Sequence, residues 1–223
     1  MNKKETIEAT PMVQRMCTNL LTIIGDKSSA TGIQARVILG DTIADAADLI
    51  SNDEIWAQLD SCFDIVRQTN CTLPNMEMIR QLITTETPRT LGATLLKDAS
   101  IQLALAQQGK IISAMTFTSR EDVDALILTI QDPFNASEEI AADTMDQMIY
   151  FNLVSLHAAV VNHLVQTARP LPEMMAYQFA DIYPTLIISQ RLYGDAGRYD
   201  EIRQENKIIH PAFCPANGRA LSA

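Results

Sequence analysis

Apolar residues recur at every third or fourth position through most of residues 1–169, the period of helices that bury one face. Thr10-Pro11 reads as a helix opening, with Met12, Val13, Met16, Leu20, Ile23 and Ile24 on the apolar side and Gly25-Asp26 as the stop. A second helix is expected from about Ala30 to Ile50, where Ile33, Val37, Gly40, Ala44, Ala47 and Ile50 form a stripe of mostly small residues suited to close packing. Ser51 and Glu54 make a capping-box pattern for a third, which carries Ile55, Leu59, Cys62, Phe63 and Val66. Pro74 starts a fourth through Ile83. Thr87-Pro88 begins a long helix reaching Ala114, with Leu91, Leu95, Ala99, Leu103 and Ala106 on one face. Ser119 with Asp122 caps the next, which Asp132-Pro133 should end, because proline lacks a backbone donor and crowds the preceding turn. The last helix of this region, about Glu138 to Ala168, takes its buried side from Met145, Met148, Phe151, Leu153, Leu156, Val160, Leu164 and Val165. The pattern predicts an antiparallel helical bundle over residues 1–169, free of strands.

At Arg169-Pro170-Leu171-Pro172 the pattern changes, and prolines and aromatics concentrate beyond it, marking a boundary between regions 1–169 and 170–223. Met175, Tyr177 and Phe179 alternate as in a half-buried strand over residues 174–179. Asp181 is placed as an N-cap with Pro184 near the start of a helix through Tyr193, and Gly194-Asp195 breaks it. A second short helix carries Tyr199 and Ile202 and ends at Asn206, a residue that tolerates the left-handed conformation closing many helices. Pro215-Ala216-Asn217-Gly218 reads as a turn, and Arg219 to Ser222 as a closing strand. Tyr193 and Ile202 are expected in a common core.

Charge separates the two regions further. Residues 1–169 hold 12 Lys/Arg against 21 Asp/Glu, and residues 170–223 hold 5 against 6. Duplex binding draws on basic side chains that release counterions, so this acidic balance disfavours direct contact with nucleic acid. Hydrophobic residues at 47% and charged residues at 20% are those of a folded chain. Cys17, Cys62, Cys71 and Cys214 lack metal-ligand spacing and read as buried free thiols. Residues 1–15 carry no signal-peptide pattern, and no uncharged apolar run is expected to approach the roughly 20 residues that span a bilayer. These features predict a soluble protein made in the cytoplasm, with no membrane partner.

His157 and His163, six positions apart, fall on different helix faces and do not form an i, i+4 chelating pair. No phosphate loop, nucleophile elbow or calcium loop is recognisable. Glu138-Glu139 sit where negative charge favours a helix start. No catalytic residue, metal or cofactor is expected, and the chain does not read as an enzyme.

The sequence Leu192-Tyr193-Gly194-Asp195, then Arg198-Tyr199-Asp200-Glu201-Ile202, Asn206, Ile208, His210 and Pro211 resembles the LysM module, a small βααβ fold. A longer stretch, from Phe117-Thr118-Ser119-Arg120 and most clearly from Leu171-Pro172 through Phe213, resembles the C-terminal region of the Mu-type phage DNA circularisation protein. Its matching positions are Pro184, Leu186, Arg191, Leu192, Tyr193, Asp195, Ala196, Arg198, Asp200, Glu201, Asn206, Ile208, His210, Pro211 and Phe213. The family protein begins with a further domain that has no counterpart here.

The resemblance implies a mainly α protein, a helical bundle followed by a small LysM-like βααβ module. It implies a structural part in a phage tail, seated in the virion's baseplate or tube tip and docked to other tail proteins and to copies of itself in a ring. Tyr193, Gly194, Asp195 and Asn206 are then candidates for docking or, alternatively, for a glycan groove that grips peptidoglycan. A DNA-circularisation factor is the remaining alternative, and it conflicts with the charge.

Overall fold

The computed structural model describes residues 1–222 and is mainly helical, with one small two-stranded antiparallel sheet. The helices are α1 (Lys3–Thr22), α2 (Ala30–Ser51), α3 (Ile55–Gln68), α4 (Leu73–Thr84), α5 (Leu91–Ser113), α6 (Arg120–Asp143), α7 (Gln147–Ala168), α8 (Thr185–Tyr193) and α9 (Tyr199–Glu205), and the strands are β1 (Met174–Gln178) and β2 (Asn217–Leu221). The chain divides into two compact units, Met1–Met115 with Gln131–Val160, and Thr116–Ile130 with Val161–Ala223. The division therefore falls within α6 and within α7, whereas the break in composition lies at residues 169/170.

In the first unit α1 packs on α2 and α5, and α3 and α4 also pack on α5. Leu20, Leu39, Ile50, Leu59, Phe63, Leu96 and Leu105 are fully buried in it. Several helix starts differ from those expected. α1 opens at an Asn2–Glu5 capping box and runs through Pro11, so the proline stands inside the helix. Asn2 Oδ1 accepts from the Lys4 and Glu5 amides at 3.0 and 3.1 Å, two of the donors that a helix start leaves unpaired. Ser51 belongs to the end of α2, where its hydroxyl donates to the Ala47 carbonyl at 2.8 Å, and Glu54 precedes α3 without a side-chain cap. The start of α5 is capped from another helix: Glu8 accepts from the Arg89 and Thr90 amides at 2.7 and 2.9 Å. The neighbouring Thr90 side chain foremost, and then the Arg89 and Thr90 amides, hold the Glu8 carboxyl below its ordinary range.

The predicted apolar faces need larger corrections. On α2 the stripe Ile33, Val37, Gly40, Ala44 and Ala47 faces out, and Gly32, Ala35, Leu39, Thr42, Ala46 and Ile50 face in. On α5, Leu91 and Leu95 are exposed and Ala99, Leu103 and Ala106 half-buried, while Ala93, Leu96, Ser100, Ala104, Leu105 and Ile112 are buried. Both helices are apolar over more than one face, so periodicity alone does not fix which face is covered.

Ser119 caps α6 as expected, accepting from the Asp122 amide at 3.2 Å. Pro133 does not end that helix, which continues to Asp143. Ile130, Phe134, Ser137 and Ala141 remain buried at helical spacing past the proline. The break comes instead at Met145, with φ of 55° and 90% exposure, and Asp146 then accepts from the Ile149 amide at 3.1 Å to open α7. On α7 Leu153, Val160 and Leu164 are buried, but Met148, Phe151 and Val165 are exposed. The 22 residues of α7 contain no Asp, Glu, Lys or Arg. By length and composition this helix could cross a membrane, at a mean hydropathy of 1.4 with 17% of the window buried, which corrects the expectation that no such run exists.

In the second unit β1 and β2 pair with Met174 opposite Leu221 and Tyr177 opposite Gly218. A core of Tyr177, Ile188, Ile202, Cys214 and Ala220 lies under α8, α9 and the sheet, with Phe179, Tyr183, Leu192, Tyr193 and Ile208 packed around it. Arg120 on α6 pairs with Glu173, and Glu121 accepts from the Met174 amide at 2.8 Å.

Candidate functional site

The four candidate residues fall at the two helix ends of the second unit, and the structure gives each a defined local role. Gly194 closes α8 in the left-handed conformation, φ 70°, with open space around its Cα. A residue other than glycine would be strained at that φ, which accounts for the Tyr-Gly-Asp break. The Gly194 amide donates to the Gln190 carbonyl at 3.0 Å, and the Gln190 side chain donates back to the Gly194 carbonyl at 3.0 Å. Asp195 caps the 3₁₀ turn Ala196–Arg198, its carboxylate accepting from the Gly197 amide at 2.7 Å. Its carbonyl accepts from the buried Ser189 hydroxyl at 2.5 Å.

Tyr193 is half-buried against the core that contains Ile202. The Arg198 guanidinium stacks over its ring, 3.8 Å from the centroid, and is forked onto Glu201 at 3.0 and 2.8 Å. Glu201 holds the Arg198 guanidinium above its usual range. The Tyr193 hydroxyl is buried and has no hydrogen-bond partner, and burial raises its pKa. A second arginine is handled in the same manner: Arg191 lies 4.2 Å from the Tyr183 ring centroid and 5.8 Å from that of Phe179.

Asn206 ties α9 to β2. Its Oδ1 accepts from the Arg219 amide at 2.8 Å, and its Nδ2 donates to the Arg219 and Ile202 carbonyls at 2.7 and 2.9 Å. The expected left-handed conformation is not at Asn206, with φ of −99°, but at Lys207, with φ of 51°. Ile208 and Lys207 donate to the Arg203 and Gln204 carbonyls at 2.9 and 3.1 Å, the paired bonds of a Schellman ending one residue later than the sequence suggests. Asn206 keeps a right-handed backbone and spends its amide on the neighbouring strand. Asp181 likewise is not the cap of α8. Pro184 occupies that position without a side-chain bond, and Tyr183 forms an isolated bridge with Cys214.

Gly218 explains why the closing strand carries no larger residue at that point. A Cβ there would lie 2.4 Å from the Tyr177 hydroxyl and 2.5 Å from Asn206 Oδ1. The Tyr177 hydroxyl, 3.0 Å from Cys214 Sγ, thus passes over a strand position that must stay bare. Neither Gly218 nor the Asn206–Arg219 clamp was visible as a site in the sequence, because both depend on a register between distant segments.

The candidate residues therefore use most of their polar groups on the chain itself, and the surface they leave is the stacked Tyr193–Arg198 pair with the Gly194 turn. Among the described residues no cluster of His, Cys, Asp or Glu is arranged to hold a metal ion. His157, half-buried, is 2.9 Å from Glu138 and stacked on Phe134 at 4.8 Å. All four cysteines are free and buried.

A different surface lies in the first unit and was missed from sequence. Trp56, Leu103, Ala106, Ile149, Leu153 and Leu156 line an open apolar groove of about 340 Å³ between α5 and α7. Its signal in the sequence was the absence of charge along residues 147–168, while the placing of Trp56, the chain's one tryptophan, beside them comes only from the fold.

No protein-family model matches this chain, and no curated protein matches it significantly in sequence.

Proposed function

We propose that this chain is a structural component of a phage tail, seated in the baseplate or tube tip, and that it works by docking rather than catalysis. Its partners are other tail proteins and copies of itself, and its place is the virion. In this reading residues 170–223 form a LysM-like βααβ module used as a docking unit, and residues 1–169 form an antiparallel helical bundle.

The observation that carries the reading is the way the motif residues interlock. Arg191, Tyr193, Asp195, Arg198, Glu201 and Asn206, the positions that match the phage family's ending, are those that cap, stack and clamp the strand-helix-helix-strand segment. Such a set preserves a compact shape, as an assembly module needs. The reading rests on that motif and on no sequence match.

The test is to isolate intact virions from cells that make this chain with its neighbouring phage proteins and to measure its copy number in them. A fixed stoichiometry in washed particles is the expected result. Absence from mature particles would exclude a structural part in the tail. Titration of the purified chain with duplex DNA at low salt and with N-acetylglucosamine oligomers tests the alternatives. No binding is expected to either, since the acidic chain lacks the counterion-release term and the candidate polar groups are engaged internally.

A further inference from the structure

We infer that the uncharged outer face of α7, together with the apolar groove beside it, is the docking surface for a second copy of this chain. The face is built by Met148, the adjacent pair Phe151 and Asn152, Ser155 and Ala159, which follow the three- and four-residue spacing of one helix side and are all exposed. Met148 and Phe151 are 75% and 61% exposed, an unusual cost for large apolar side chains on one helix face. Asn152 also lines the groove, so the face and the groove are continuous.

Charge identifies the occupant. The chain carries a net charge of −10, and two copies repel wherever their acidic surfaces meet. In a two-fold contact the same patch meets itself, so any charge in it faces a like charge. Among the described residues α7, a run of 22 residues without Asp, Glu, Lys or Arg, is the one helix that meets that condition along its whole length. A basic partner would instead be recognised through carboxylates, and α7 has none.

A lipid surface fits less well. The outer face includes Asn152 and Ser155, whose amide and hydroxyl suit hydrogen bonds between helices. Asp143 and Asp146, just before the helix, would meet anionic headgroups with like charge. Ser155 and Ala159 are the smallest residues of the stripe and mark where two helices can approach most closely, with Met148 and Phe151 flanking that point.

The inference does not depend on the tail reading, and the experiments fail separately: virion stoichiometry does not bear on whether the purified chain pairs. Sedimentation equilibrium of the full chain over a concentration series should show monomer passing to dimer, with a blue shift in emission as Trp56, 36% exposed at the groove, becomes covered. Ser155→Glu and Ala159→Glu should each weaken dimerisation by at least about a hundredfold, because each places a carboxylate against its copy. Both positions are exposed, so the circular-dichroism melt should be unchanged at concentrations low enough that the wild type is itself monomeric. Mixing Ala159→Glu with Ala159→Lys should restore a heterodimer. A wild-type chain that stays monomeric, Glu variants that dimerise as well as wild type, or a monomer that floats with phosphatidylcholine vesicles would each overturn the inference.

Discussion

The two units hold themselves together by different means. In the first, α1 to α5 pack on one another with Leu20, Leu39, Phe63, Leu96 and Leu105 fully buried, and polar ties such as Glu8 on the start of α5 sit at the edge. In the second, the strand-helix-helix-strand part centres on a cluster of five buried side chains and adds polar clamps around it: Asn206 on Arg219, Ser189 on Asp195, Ser222 on Glu173. Small folds bury a smaller share of their surface and rely more on such supplements. The difference teaches where each unit is vulnerable. Loss of apolar volume should dominate in the first, and loss of a clamp or a bare glycine in the second.

The largest effect tests the first half of that contrast. Phe63→Ala empties a site that is fully enclosed, and should cost about 3–5 kcal/mol in urea unfolding of the full chain. A cost under about 1 kcal/mol would show that the core is less tightly packed than its burial indicates. The next effects test the second half. Gly218→Ala forces a methyl group against Tyr177 and Asn206 and should cost about 1–3 kcal/mol, although the substitution is conservative in size. Asn206→Ala strips the Arg219 amide and carbonyl of their partners and should cost a similar amount, about 1–3 kcal/mol. Because Gly218 and Asn206 touch, the double variant should cost less than the sum. Strict additivity would mean that the clamp and the bare strand position act independently.

Elements with a single apolar face were legible in the sequence. α3 was placed because Ile55, Leu59, Cys62, Phe63 and Val66 leave no second choice of face, and all are buried. β1 was legible as a strand from Met175, Tyr177 and Phe179, but of the three only Tyr177 is buried, Phe179 being half-buried and Met175 exposed. α2, α5 and α7 misled because they are apolar around much of their circumference, so the buried face is chosen by neighbours that a local period does not contain. Proline misled for a related reason: Pro11 and Pro133 each remove one donor, but helices anchored by buried residues on both sides carry the defect through. In the candidate site, Gly194 was legible because its positive φ is a local requirement. The Asn206 clamp was not, since its partner Arg219 lies 13 residues away across a turn.

A smaller effect separates surface charge from core packing within the first unit. Asp64 faces Lys110 at 3.0 Å and Arg67 at 3.1 Å. Burial pushes its carboxyl up, but the bonds from Lys110, Arg67 and Gln68 outweigh this and hold it down to about 2. A folded-state pKa below the ordinary 3.8 means that the carboxylate stabilises the fold above pH about 4 and loses that contribution as pH falls through about 2. The group is partly exposed, so Asp64→Asn should cost at most about 1 kcal/mol at neutral pH, and the difference from wild type should vanish across the window from about 4 to about 2. A difference that persists unchanged at pH 2 would assign the loss to packing.

The smallest expected effect bears most directly on the candidate site. The Tyr193 hydroxyl is buried with no partner, so it carries a desolvation cost without a compensating bond. Its ring, by contrast, is held between the core and the Arg198 guanidinium. Tyr193→Phe keeps the ring and removes the unpaired group, and should leave stability unchanged within about 0.5 kcal/mol or raise it slightly. Tyr193→Ala removes the ring as well and should cost several times more. The pair of variants therefore distinguishes a structural ring from a hydroxyl kept for a ligand. If Tyr193→Phe were as stable as wild type but lost binding to N-acetylglucosamine oligomers that the wild type retained, the unpaired hydroxyl would be a contact group, and the second unit would be a binding module before it is a docking one.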